Sequence, residues 1–462
     1  MKDVLAGINH WWGTGAVDSA LVPALERDEL EDLLASLEQE RITALVGPRR
    51  VGKSTIIMQA IERLLKRGID KRRILFIPAD DPALDRVNMT AIINEYLAAI
   101  LFEQPRKLSN QIYVFVDEVQ YSADWQMHLK ALYDRKHKIK FVVSGSSSTA
   151  LFHQSKDSLL GRIKNLWILP LNFTQFYRFS QSLRPNDNVA QASSVLHLAT
   201  ELSDVENWYA EIKRKYIEIK SVAPYIHALY SEYLFAGGYP EYFKMASPTQ
   251  WQITLVEDII ERGLQRDVVE LFNIRNPVFL RRIMFFIAGN QGQAMPYSTI
   301  AAAVGADKNT VMQYLEYLQI AKLVMIIDNY SRNTGKILRK NKKFYIADTG
   351  IRNALLKKKL VDSADEGRLA ETALIQNLCN RSLADYSEVY YWRDFDREVD
   401  AVVSQGSLLL PIEVKYRNSI SRSDVNGLCE FMTMNKLGAG IVVSKDKLEH
   451  EENIYYIPAW LW

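Results

Sequence analysis

The sequence predicts an α/β protein in three parts: a parallel-sheet domain over residues 1–230, a helical region with a winged helix over 231–348, and a smaller α/β domain over 349–462. Three observations predict it. At residues 42–55 an apolar run passes straight into a glycine-framed loop and then a helical pattern. Short apolar runs recur between helical segments at 74–77, 112–116, 140–143 and 166–169, the alternation that builds a parallel sheet covered on both faces. The final segment sets a helix before two apolar strands that carry acids.

Residues 42–55 read ITALVGPRRVGKST, a P-loop. Gly47 and Gly52 let the chain turn tightly enough for successive N–H groups of Gly47, Pro48, Arg49, Arg50, Val51, Gly52, Lys53, Ser54 and Thr55, the proline excepted, to face phosphates. Lys53 supplies a charge for the β/γ oxygens, and the Ser54 hydroxyl is a Mg²⁺ ligand. The TIIMQAIERLL that follows has helical apolar spacing, so a helix N-terminus meets the phosphates. Residues 111–120, QIYVFVDEVQ, form a buried-type strand that delivers Asp117 and Glu118 at its C-terminal end, where open α/β sheets bind ligands. Asp117 is the expected second Mg²⁺ partner and Glu118 the group that polarises the attacking water. In the stretch Ser144-Gly145-Ser146-Ser147-Ser148 that ends the next strand, a hydroxyl, with Ser146 as the candidate, either sits between the Asp117 strand and the γ-phosphate as a sensor or belongs to an ordinary serine turn. Arg162 either reaches a γ-phosphate, in its own or a neighbouring subunit, or is structural. ATP and Mg²⁺ are the implied ligands.

With 462 residues, 48% of them hydrophobic, the chain has material for several packed cores. Its net charge is +2 over 57 basic and 55 acidic residues, so nucleic-acid affinity has to come from local patches. Cys379 and Cys429 are too few for a disulfide framework and read as small buried hydrophobes. No signal-peptide pattern opens the chain, and no apolar run approaches the ~18 residues of a membrane span. A cytoplasmic protein with no membrane partner is expected.

Residues 298–303 give a short helix, Gly305 ends it, and Asp307 caps a second helix with Val311, Leu315, Leu318 and Leu323 on one face. A hairpin-like segment follows, reading SRNTGKILRKNKKF over 331–344, with Arg332, Lys336, Arg339, Lys340, Lys342 and Lys343 and no acid. Such a wing suits the phosphate backbone of DNA, or else docks on another domain. In the last part a helix over 367–378 presents Glu371, a strand over 398–403 contains Asp400, and a turn at 405–407 leads into a strand with Glu413 and Lys415. Residues two apart on a strand share a face, so Glu413 and Lys415 point to one site that Asp400 meets across the hairpin. Glu371, Asp400 and Glu413 are candidate ligands for Mg²⁺ or Mn²⁺, and Lys415 a candidate stabiliser of developing phosphoryl charge. The constellation resembles the core of PD-(D/E)XK (restriction-endonuclease-like) nucleases, intact or used for binding alone.

Taken together, Trp11-Trp12, the P-loop, Asp117-Glu118-Val119-Gln120, Gly237-Gly238-Tyr239-Pro240-Glu241, Ala347-Asp348-Thr349-Gly350 and Ile412-Glu413-Val414-Lys415 make the chain resemble the bacterial and archaeal ATPases of the AAA+ superfamily that carry a C-terminal domain of unknown function. The resemblance spans nearly the whole chain. It implies the architecture of an ATPase domain fused to further domains; joined to the basic segment and the acid–lysine constellation, it leads to the expectation of an ATP-hydrolysing protein that acts on DNA, with nuclease activity and homo-oligomerisation left open. The alternative is a nucleotide-dependent switch whose C-terminal domain only binds DNA or protein.

Overall fold

Five strands, β1 (Ile42–Val46), β2 (Ile74–Pro78), β3 (Ile112–Asp117), β4 (Ile139–Gly145) and β5 (Ile163–Trp167), pair in parallel in the order β2-β3-β4-β1-β5. The runs of β1 to β4 are buried on both faces, as a helix-covered parallel sheet requires, while the edge strand β5 is only partly covered. The computed structural model describes residues 1–84, 87–145, 159, 161–184, 204–270 and 272–462, which divide into two compact units, Met1–Leu169 and Pro170–Trp462. Ser146 lies outside the described residues. The registers Val46↔Gly145 and Val116↔Val143 align the C-terminal ends of β1, β4 and β3, so the P-loop and the acids after β3 emerge at one edge of the sheet.

The fifth strand starts three residues earlier than the 166–169 run suggests. Ile168 and Leu169 are buried without extending the ladder. The Ile168 amide donates to the Val46 carbonyl (2.8 Å), and its own carbonyl oxygen stands 1.8 Å from where a Cβ on Gly47 would be. Burial against the loop, not strand pairing, accounts for that apolar stretch, and only glycine fits at 47. The Trp11-Trp12 motif serves the opposite edge. Asn9 exchanges two hydrogen bonds with the Phe76 backbone (2.6 and 3.1 Å), and the indole N–H groups of Trp11 and Trp12 donate to the Ile74 carbonyl, so side chains occupy the open edge of β2.

The second unit is built on a nine-stranded sheet. Helix Pro277–Gly289 leads to β6 (Ala294–Met295), helices Tyr297–Val304 and Lys308–Ile320, then β7 (Val324–Asn329), helix Thr334–Arg339 and β8 (Lys342–Ile346). Gly305, at φ +74°, ends the first of the paired helices, and the Asp307 carboxylate accepts from the Asn309 and Thr310 amides (2.9 Å each) to start the next. The segment read as a hairpin wing is thus a short helix followed by a strand. Strand β8 lies between β6 and β7, antiparallel to both, and β7 pairs in parallel with β9 (Glu388–Asp394). From there β9, β10 (Arg397–Gln405) and β11 (Leu408–Lys415) form an antiparallel meander, while β12 (Gly440–Ser444) and β14 (Ile454–Pro458) continue in parallel with β11, and β13 (Glu449–Glu451) closes the edge. One sheet therefore runs across the boundary drawn at residue 348. The helix Ser363–Asp385 packs on β9, β10 and β11, and helix Asn426–Asn435 packs beside β10 and β11 through Leu428, Phe431 and Trp392.

Three motifs far apart in sequence meet in this unit. Buried Asp348 accepts from the amides of Gly238 (2.8 Å) and Ile351 (3.1 Å). A Cβ on Gly237, which sits at φ +77°, would stand 2.1 Å from the Asp348 carboxylate, and one on Gly238 would stand 2.2 Å from the Leu171 carbonyl oxygen. The Gly237-Gly238 pair and the Asp348 motif are two halves of one junction.

Candidate nucleotide site and carboxylate cluster

Gly52, at φ +100°, turns the loop into the first residue of helix Lys53–Lys66, which places Lys53 and Ser54 at that helix's N-terminus. Lys53 is only 4% exposed, and its ammonium donates to the carbonyls of Gly47 (3.0 Å) and Pro48 (2.8 Å). The exposed Ser54 hydroxyl bonds the Asp117 carboxylate. Asp117 is buried at the end of β3, and the Ser144 hydroxyl at the end of β4 donates to it. Burial raises the Asp117 carboxyl above its ordinary range, while the Ser144 and Ser54 hydroxyls and the Lys53 charge act against the rise. Glu118 adopts φ +50°, ψ +47°, a left-handed conformation of order 1–3 kcal/mol for a non-glycine residue, and its amide donates to the Ser144 oxygen (3.1 Å). The Gln120 amide holds the Glu118 carboxylate at 2.5 Å.

These side chains fit a Mg²⁺ nucleotide. The loop leaves no room for a Cβ at Gly47, a cation lies under it, and a hydroxyl and a carboxylate stand together at its mouth. Of the serines offered for a hydroxyl at this place, Ser144 lies among the described residues and bonds the Asp117 carboxylate. Its signal was its place as the last inward residue of a buried strand next to the Asp117 strand. Arg162 does not reach its own phosphate site. It precedes β5, its carbonyl accepts from the Ile42 amide at the start of β1, and its guanidinium pairs with Asp134 (2.7 Å). The length of β1 separates it from the loop.

In the second unit Glu371, Asp400, Glu413 and Lys415 do converge. Lys415 pairs with Glu413, the other Glu413 oxygen accepts from the Asp400 amide (3.3 Å), and Asp400 accepts from the Val414 amide (2.9 Å). A residue expected on the DNA-facing wing sits among them. Lys343, 1% exposed, pairs with Glu371 (3.2 Å), Glu398 (2.6 Å) and Asp400 (3.2 Å). Tyr345, two residues on and so on the same face of β8, donates to Glu371 (2.6 Å). Burial and the Asp400 charge push the Glu413 carboxyl up to about 8. Burial acts the same way on Asp400, but the Lys343 and Lys415 charges outweigh it and hold that carboxyl below its usual range. Among the described residues, no group of three or more His, Cys, Asp or Glu side chains is placed to hold a metal ion, and the Lys343 ammonium stands among the acids expected to bind Mg²⁺ or Mn²⁺.

The basic segment is divided by burial. Lys343 is interior, Lys342 is largely covered and paired with Asp328, and Lys340 is half-buried against Asn329 (3.1 Å). Arg332 and Arg339 are exposed, and the Lys336 side chain lies outside the described residues. Among the side chains described, the segment therefore exposes Arg332 and Arg339, with Lys340 half-covered, and Lys342 and Lys343 are withdrawn from the surface. No helix among the described residues is long and apolar enough to cross a membrane.

A strand, glycine loop and helix beside an Asp–Glu pair on a nearby parallel strand define a P-loop nucleotide-binding domain. Residues 39–177 match the AAA domain family, so the chain carries an AAA+ P-loop ATPase domain. Residues 227–362 and 366–462 match two families that are each described as a domain of unknown function, DUF8612 and DUF4143. Similar proteins include an uncharacterized protein of Haemophilus influenzae, 22% identical over 443 residues (94% of this chain, 97% of that protein), and one of Methanocaldococcus jannaschii, 24% identical over 450 residues (93% and 90%). Among solved structures, the ADP form of Aeropyrum pernix ORC2 aligns with 74% of this chain and 97% of its own at 15% identity and a TM-score of 0.33.

Proposed function

We propose that the chain hydrolyses ATP at the P-loop and uses that cycle to control a second unit that binds DNA without cutting it. The observation that carries the first half is the meeting of Lys53, Ser54, Asp117, Glu118 and Ser144 at one edge of the sheet. The loop amides and Lys53 bind and orient the phosphates, and Ser54 and Asp117 would hold Mg²⁺, which would supply neutralisation of phosphate charge. Glu118, pinned by Ser144 and Gln120, orients the attacking water and takes its proton. Ser144 donates to the Asp117 carboxylate and accepts from the Glu118 backbone amide, so it ties the strand end that carries both acids.

For the second half, the support is a capped helix–turn–helix followed by paired strands, the order of a winged helix, with Arg332 and Arg339 exposed beyond the second helix. Strands β9 to β12 and the flanking helices repeat the order of a nuclease-like core, yet the occupied carboxylate cluster favours binding over cleavage. The test is phosphate release with and without linear, nicked and branched DNA, beside a Mg²⁺ and Mn²⁺ cleavage assay. Stimulation of turnover by DNA with no cleavage supports the reading. No turnover under any condition rejects the first half, and turnover indifferent to DNA that also fails to bind rejects the second.

A further inference from the structure

We infer that Lys343 is a built-in counter-cation that takes the place of a divalent metal, so that the carboxylate cluster of the second unit is metal-independent. The inference extends the proposal that this unit binds without cutting, and rests on it only for the cluster's role.

The Lys343 ammonium donates to Glu371 and Asp400 (3.2 Å each) and forms an ion pair with Glu398 (2.6 Å), so three carboxylates surround it. The side chain is 1% exposed, and its Nζ also lies 5.5 Å from the centre of the Tyr391 ring. Its backbone belongs to β8, which is paired on both sides, so the strand cannot carry the lysine out of the cluster without breaking a ladder. The acids are further committed. Glu371 accepts from Tyr345, Asp400 from the Val414 amide, and Glu413 from Lys415 and the Asp400 amide. Mg²⁺ needs near-octahedral oxygens at about 2.0–2.1 Å, and an ion drawing on these same carboxylates would stand against a buried ammonium that they already neutralise. Glu371 is also fixed from behind by Gly292, at φ +74°, where a Cβ would come within 2.9 Å of its oxygen. The lysine comes from the helix–turn–helix segment and the acids from the C-terminal helix and meander, so the same contact joins the two parts of the sheet.

The test is a Mn²⁺ titration of the nucleotide-free, chelator-treated full chain, with free Mn²⁺ followed by electron paramagnetic resonance. Wild type and Asp400→Asn are expected to take up the same amount of Mn²⁺. Lys343→Met is expected to gain one Mn²⁺ per chain, bound at least tenfold more tightly than any uptake by wild type, and to lose it again in combination with Asp400→Asn. A wild-type Mn²⁺ site that Asp400→Asn abolishes overturns the inference, as does a folded Lys343→Met chain that gains nothing. Should Lys343→Met not fold, the comparison of wild type with Asp400→Asn decides alone. ATP turnover and DNA binding of the same preparations report on the proposed function separately, since either can fail while the Mn²⁺ result stands.

Discussion

Two lysines, one in each unit, are almost fully buried beside carboxylates, and they differ in what faces the ammonium. Lys53 rests on the carbonyls of its own loop, Gly47 and Pro48, while Lys343 rests on three acids. Carbonyl dipoles hold a cation without cancelling its charge, and Lys53 rests on them at the loop that faces an arriving phosphate. Carboxylates do cancel it, and the charge of Lys343 is used inside the protein. The same residue type is thus poised in one place and consumed in the other, and motif matching alone does not separate the two.

The largest way to break this contrast is Lys343→Met. Removing one partner of a buried ionic cluster leaves like charges unopposed, so the second unit is expected to lose about 3–5 kcal/mol in urea unfolding; an unchanged midpoint would show that the lysine is not needed. In the first unit Lys53→Ala is expected to abolish nucleotide binding with a smaller change in unfolding, because its ammonium rests on carbonyl dipoles of the loop and not on a carboxylate triad. Glu118→Gln sharpens the same point: turnover should fall on the order of 10²–10³-fold, about 3–4 kcal/mol, with ATP binding retained. Equal loss of binding in both variants would merge two roles that the geometry keeps apart.

A third buried charge tests the intermediate case. Asp348 faces amide dipoles, with burial pushing its carboxyl up to about 6. The native state then holds a proton that the unfolded chain releases between about pH 4 and 6, so this group's contribution to stability falls as pH rises through that window. Relative to Asp348→Asn, wild type should lose roughly 2–3 kcal/mol between pH 4 and 7, read by urea unfolding at both pH values. A constant difference would mean that the amides fully replace solvent. The smallest effect is expected where cations stay in water: Arg332→Ala with Arg339→Ala should lower the slope of log affinity for DNA against log salt by about 2, measured by fluorescence anisotropy.

The nucleotide site was legible because its parts are local. A glycine loop between a strand and a helix specifies its own conformation through φ-permissive residues, and an apolar run ending in Asp117-Glu118 announces a buried strand with its acids at the open end. The helix–turn–helix was legible for the same reason, since Gly305 and Asp307 act within a few residues of themselves. Which serine meets Asp117, and which of its two readings Arg162 takes within its own chain, were left open because both depend on strand order and on which end of the sheet a residue occupies.

Alone, then, the sequence determined the P-loop, the Asp–Glu strand end, the capped helices and the hairpin that brings Asp400 to Glu413 and Lys415. Only the tertiary structure decided that Lys343 is interior, that one sheet joins the two parts drawn apart at residue 348, and that Gly237 and Asp348 share a junction. Periodicity and turn chemistry are read over a few neighbouring residues, whereas the partner of a charge is chosen by long-range pairing. An arrangement such as β8 between β6 and β7 leaves no mark on the residues that it moves from surface to core.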